Sequence, residues 1–99
     1  MIVYNTTFHI EKDILDESLV YLKKQYIPKA VESGFLQRPC LRRVLQAEKG
    51  EDISLSVQFH VKNIDTLNFW LQNEGNNLHR ALVARFGHKI AALVLYWKR

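Results

Sequence analysis

Residues 52–61 read Asp-Ile-Ser-Leu-Ser-Val-Gln-Phe-His-Val. Ile53, Leu55, Val57, Phe59 and Val61 fall on one side of an extended chain, and Ser54, Ser56, Gln58 and His60 fall on the other. Period-two alternation of this length is the pattern of a strand with one face in a core and the other open. Residues 2–10 repeat it, with Ile2, Tyr4, Phe8 and Ile10 set against Val3, Asn5, Thr7 and His9. These two strands frame the fold, and outside them the periodicity changes.

After the first strand, Leu15, Leu19, Leu22 and Tyr26 recur at helical spacing, with Lys23 and Lys24 on the opposite side. Asp13 reads as the N-cap, and Asp16 and Glu17 complement the dipole of the first turn. Pro28 has no backbone N–H, so the helix should end, kink or restart there, and Gly34 suits a C-cap. Residues 36–47 form a second strand; Pro39 near its start argues for an edge position, and Arg42 and Arg43 break its alternation. Glu48-Lys49-Gly50-Glu51 is a polar hairpin turn into residues 52–61. Asn63 then caps a second helix carrying Ile64, Leu67, Trp70 and Leu71. Glu74-Gly75-Asn76-Asn77 is expected to interrupt it, before a further turn or two with Leu78, Leu82 and Phe86 closed by Gly87. Residues 89–97 form the last strand, apolar on both faces.

The order strand–helix–strand–strand–helix–strand predicts one α+β domain over residues 1–99. The architecture is ferredoxin-like βαββαβ, a four-stranded antiparallel sheet with both helices on one face. Strands one and three are central in that topology, and strand four is an edge. An edge strand rich in Val, Leu, Tyr and Trp on both faces needs a cover. A second copy of the chain is the simplest one, so a homodimer is expected. A monomer that tolerates an exposed terminal strand is the alternative.

Composition bounds the function more loosely. Apolar residues make up 47% of the 99 residues and charged residues 24%, an ordinary globular mix, with a net charge of +4. The basic residues are scattered, so that charge serves solubility as readily as binding to nucleic acid. The single cysteine, Cys40, makes no intrachain disulfide and has no metal-ligating neighbour in sequence, so a reducing, cytoplasmic setting without a metal or cofactor is expected. The opening residues lack the pattern of a signal peptide, and no apolar run reaches membrane-spanning length.

Met1-Ile2-Val3-Tyr4-Asn5, Ile27-Pro28 followed by Gly34-Phe35, Ser56-Val57-Gln58-Phe59 and Arg85-Phe86-Gly87 occur in an order and spacing that resembles the DUF4286 family of uncharacterised small bacterial proteins. The similarity runs along essentially the whole chain. It implies the dimeric α+β barrel superfamily, which includes cofactor-free monooxygenases, isomerases and stress-response proteins, and therefore a dimer. It does not imply a reaction, because this fold hosts many functions. The resemblance also implies a histidine just before the Ile-Pro pair, where this chain has Tyr26. A second is implied near the mid-helix break, where it has Glu74, Gly75 and Asn76. A chemistry that used those histidines would be missing here.

Three function classes follow. The first is a dimeric binding or interaction module without catalysis, since neither a Ser-His-Asp or Cys-His set nor a glycine-rich phosphate loop is present. The second is a cofactor-independent small-molecule enzyme, monooxygenase- or isomerase-like. The third, an RNA-binding domain, needs aromatic residues on the open sheet face, where this chain has Ser54, Ser56, Gln58 and His60. Candidate ligand-binding residues are Asn5, Gln58 and His60 on that open face, together with Tyr26, for a small polar or aromatic molecule; a plain interfacial hydrogen-bond network is the other reading. Tyr4, Phe8, Tyr26 and Trp70 are either pocket walls between sheet and helices or core aromatics. His9 and His60 should lie on the order of 20 Å apart, too far to share a ligand within one chain.

Overall fold

The computed structural model describes residues 1–44 and 52–99. Strands β1 (Ile2–Glu11), β2 (Leu36–Val44), β3 (Asp52–Val61) and β4 (Ile90–Lys98) form one antiparallel sheet in the order β2-β3-β1-β4. β1 and β3 are central, as their alternation requires, and β4 is an edge. In register, Asn5 lies opposite Gln58, His9 opposite Ser54, and His60 opposite Val3. The expected strand residues 45–47 and the turn Glu48–Glu51 lie outside the described residues.

Two helical arms cross one face of the sheet. The first runs through α1 (Leu15–Tyr21), a π segment (Leu22–Tyr26) and α2 (Ile27–Glu32). The second runs through α3 (Ile64–Trp70), a π segment (Leu71–Gly75) and α4 (Asn76–Phe86). Phe8, Ile10, Leu55, Val57, Phe59 and Val61 of the sheet bury against Leu22, Ala30, Leu67, Trp70 and Leu82 of the arms. Fully burying each such side chain contributes about 1.5–3 kcal/mol. This apolar sandwich is the source of the fold's stability.

Three local expectations change, and a fourth gains a cause. Asp13 does not cap α1; it lies in a 3₁₀ turn (Lys12–Ile14) and pairs with Lys89 across the chain, and α1 starts without a side-chain cap. Pro28 neither ends nor restarts its helix. The Ile27 N–H reaches back five residues to the Leu22 carbonyl. This wider turn accommodates a residue that cannot donate to the carbonyl four positions earlier. The second helix is not interrupted at 74–77, because the Asn76 N–H likewise reaches the Leu71 carbonyl and the backbone stays helical throughout. Gly75 is there for space rather than for a break: a Cβ would sit 2.7 Å from Cζ3 of the buried Trp70 ring. Finally, the broken alternation of β2 has a local cause. One extra residue is inserted between Gln37 and Cys40, where Arg38 takes a positive φ of 52° beside Pro39.

The caps at Asn63 and Gly34 are as expected. Asn63 Oδ1 accepts the Thr66 N–H at 2.9 Å, and Gly34 adopts φ 82° with its N–H on the Val31 carbonyl.

Candidate functional site

The side chains of a strand alternate, so Tyr4, Thr6 and Phe8 of β1 all point toward the helical arms, as do Ala92 and Val94 of β4. Between them and the arms lies a cavity of about 560 Å³. Tyr26 forms one wall from the first π segment. Leu71, Gln72 and Gly75 of the second π segment, with Asn76, His79 and Leu82 of α4, form another. Both arms therefore widen into π geometry beside the same cavity. Single π turns within α-helices are found disproportionately at functional sites, where they redirect side chains.

The inner wall is ordered by aromatic packing. Phe8 meets Tyr26 edge-on with centroids 5.6 Å apart. Trp70 packs edge-on behind Tyr4 at 5.9 Å, and Phe59 stacks on it at 6.4 Å. The hydroxyls of Tyr4, Tyr26 and Thr6 are drawn into one cluster. Burial raises the pKa of both tyrosines above the ordinary value, most strongly at Tyr26, where the Tyr4 charge adds to the effect. Both phenols therefore stay protonated at neutral pH. Thr6 is only 3% exposed, yet its Oγ1 lacks a hydrogen bond of good geometry. A buried hydroxyl without a partner costs about 1–3 kcal/mol, so its presence in a cavity wall needs a reason.

The four expected ligand-binding residues do not come together. Tyr26 is in the cavity wall. Asn5 and Gln58 are on the other face of the sheet, where Asn5 Nδ2 donates to Thr7 Oγ1 at 3.0 Å and Ser56 Oγ donates to Asn5 Oδ1. The amide of Asn5 is thus satisfied at both ends by its neighbours. On the same face His9 Nδ1 and Ser54 Oγ share a hydrogen bond of 2.9 Å. His60 sits at the far end of the sheet with its Nδ1 3.1 Å from Met1 Sδ, bordering a second hollow between Phe35, Gln37, Lys62 and Thr66. Of the four aromatic residues named from sequence, Tyr4, Phe8 and Tyr26 line the cavity, while Trp70 belongs to the core behind it.

Sequence reasoning passed over Thr6, Gln72, Asn76 and His79. Thr6 is the one polar position in the stripe Ile2-Tyr4-Thr6-Phe8-Ile10, where valine would pack as well. Gln72, Asn76 and His79 are spaced i, i+4, i+7, a polar stripe at helical period, hidden by reading Gly75 as a break.

Residues 1–94 match a protein family described as "Domain of unknown function (DUF4286)". The chain belongs to the DUF4286 family. No curated protein resembles this DUF4286 protein at a significant level. Among solved structures it is similar to an ethyl tert-butyl ether D (EthD) family protein from Bacillus halodurans C-125, with a TM-score of 0.75 and 11% identity over 100% of this chain and 99% of that one. It is also similar to HapK from Hahella chejuensis, with a TM-score of 0.73 and 9% identity over 100% and 92% of the two chains. A de novo designed protein, Foldit4, shares the architecture at a TM-score of 0.64 and 6% identity, over 99% and 97%. At such identities the likeness concerns the fold alone, and it agrees with the expected ferredoxin-like architecture. No described helix of this DUF4286 protein is long and apolar enough to cross a membrane.

Proposed function

We propose that this protein is a homodimeric small-molecule-binding module whose ligand occupies the cavity between the sheet and the two helical arms. One observation carries the reading. A fully buried hydroxyl without a hydrogen bond of good geometry, Thr6 Oγ1, stands in the wall of a cavity beside which both arms depart from α geometry. Buried polar groups are retained where something partners them, and a cavity of this size, mostly apolar with a few convergent polar groups, is the usual form of a ligand site. The single thiol, Cys40, supports a reducing, cytoplasmic setting.

The homodimer reading rests on β4. Leu95 and Tyr96 are each 52% exposed on opposite faces of the strand, and Leu93, Val94 and Trp97 are exposed beside them. Contiguous apolar surface of this kind on an edge strand marks an interface. With the open face covered by a second copy, the internally bonded Asn5, Thr7 and Ser56 are polar groups an interface can bury without loss, and Gln58 and His60 flank them.

A catalytic use of the same cavity, as a cofactor-independent enzyme, has one observation in its favour. His79, an imidazole suited to carrying protons, lines the cavity with the two protonated phenols.

Native mass spectrometry of protein purified under non-denaturing conditions tests both parts of the proposal. The expected species has twice the 11.6 kDa chain mass and carries a small-molecule adduct. Asn76→Trp, at the exposed rim of the cavity, should remove the adduct and leave the dimer. A monomer refutes the assembly. An adduct retained undiminished in the rim variant refutes the cavity as its site.

A further inference from the structure

The described residues lining the cavity include no Lys, Arg, Asp or Glu. A charged ligand seated at the inner end, away from the exposed His79, would lose its hydration without gaining a counter-charge, an unfavourable exchange among largely apolar walls. The polar groups present are hydroxyls at the inner end and Gln72, Asn76 and His79 nearer the rim. Each hydroxyl has one O–H and two lone pairs. An open chain of hydroxyls ends in one O–H with no acceptor inside the chain. Thr6 Oγ1, which lies beside the tyrosine hydroxyls but has no hydrogen bond of good geometry, adds a second such O–H. Because burial keeps Tyr4 and Tyr26 protonated, no phenolate is available to take these protons.

We propose that the cavity takes an uncharged ligand with an apolar body and a neutral oxygen function, such as a carbonyl, that accepts hydrogen bonds from Thr6 and the tyrosine cluster. This rests on the reading of the cavity as the ligand site and adds the chemistry of what enters it. Phe8, Leu82, Ala92 and Val94 supply the apolar surfaces against which the body packs. The oxygen function sits at the inner end, where it relieves the one buried hydroxyl in the cavity wall that lacks a partner. Carboxylates and phosphate esters are disfavoured at the inner end by the same feature, since His79, the described lining residue that can carry a positive charge, lies nearer the rim.

Three probes of one shape separate these terms: 2-acetonaphthone, which is neutral with a carbonyl; 2-isopropylnaphthalene, nearly isosteric without it; and 2-naphthoate, charged at neutral pH. Each is titrated into the full chain and followed by the amide resonances of Thr6, Tyr26, Gln72 and Gly75. The expected order is 2-acetonaphthone first, about five-fold or more tighter than the hydrocarbon, as one net hydrogen bond supplies. The naphthoate should bind weakest. In Thr6→Val the preference for the carbonyl probe should fall to within about two-fold of the hydrocarbon, while hydrocarbon affinity holds. Equal binding of all three, tighter binding of the naphthoate, or a carbonyl preference that survives Thr6→Val overturns the ligand class while leaving the cavity as a site. If no probe moves these four resonances, the cavity itself is not the site, and both proposals fall.

Discussion

Replacing Thr6 by valine should make this protein more stable. Thr6 is β-branched, central in β1 and 3% exposed, and valine has the same shape and the same preference for strands. Its Oγ1 has no hydrogen bond of good geometry to the neighbouring tyrosine hydroxyls, so the native fold carries most of the desolvation of a hydroxyl, about 1–3 kcal/mol. A methyl group in its place removes that penalty and keeps the packing. For a domain near 100 residues, each kcal/mol shifts Tm by about 4–8 °C, so Thr6→Val should melt about 4–24 °C higher. Urea denaturation followed by far-UV circular dichroism is the assay, at equal protein concentration because assembly contributes to apparent stability. The midpoint should rise with an unchanged slope. A midpoint equal to or below that of the wild type refutes the reasoning, because it would mean that the hydroxyl is already bonded in the free protein. The same substitution should weaken the carbonyl probe, so stability and binding move in opposite directions at one atom, as happens where a site is kept ready for a ligand.

Three other outcomes follow from the structure. Gly75→Ala puts a methyl group 2.7 Å from a ring carbon of the packed Trp70. The overpacking costs about 1–3 kcal/mol, against about 1 kcal/mol of helix propensity gained, so the urea midpoint should fall; a rise would show that the ring moves aside freely. Alkaline pH should destabilise the fold. Tyr4 and Tyr26 hold their protons more tightly folded than unfolded, so their contribution is complete below the ordinary phenol pKa of 10.0 and is lost as pH rises through the folded values. Tyr26→Phe should flatten the fall in Tm above pH 10, and an unchanged slope would rule out Tyr26 as its source. Leu95→Glu, on the exposed face of β4, should convert the proposed dimer to a folded monomer in light scattering, with circular dichroism retained. A dimer that persists would mean that β4 is not the interface.

Much of the fold was legible because its signals are local. The alternation of residues 2–10 and 52–61, the cap at Asn63 and the glycine at 34 each depend on a few neighbours in sequence, and each appears where expected. The misreadings share a cause. Pro28 and Gly75 are helix breakers by intrinsic propensity, yet both helices continue, because a π turn accommodates the one and the Trp70 ring needs the space left by the other. Asp13 looked like a cap and instead found Lys89, 76 residues away.

The candidate site was legible only in fragments. The sequence by itself determined which faces of the strands are apolar, the order of the elements and the apolar excess of β4, because side-chain chemistry at a fixed period is a property of the local chain. It could not determine which polar residues meet. Tyr4 and Thr6 gather with Tyr26, His79 and Val94 only once two arms lie across one face of the sheet. That placement also set apart Asn5 and Gln58, which pair across the opposite face and, at Asn5, satisfy their amide among neighbours. Whether a buried hydroxyl is bonded or orphaned depends on atoms far away in the chain, and so the state of the Thr6 hydroxyl was decided by tertiary structure alone.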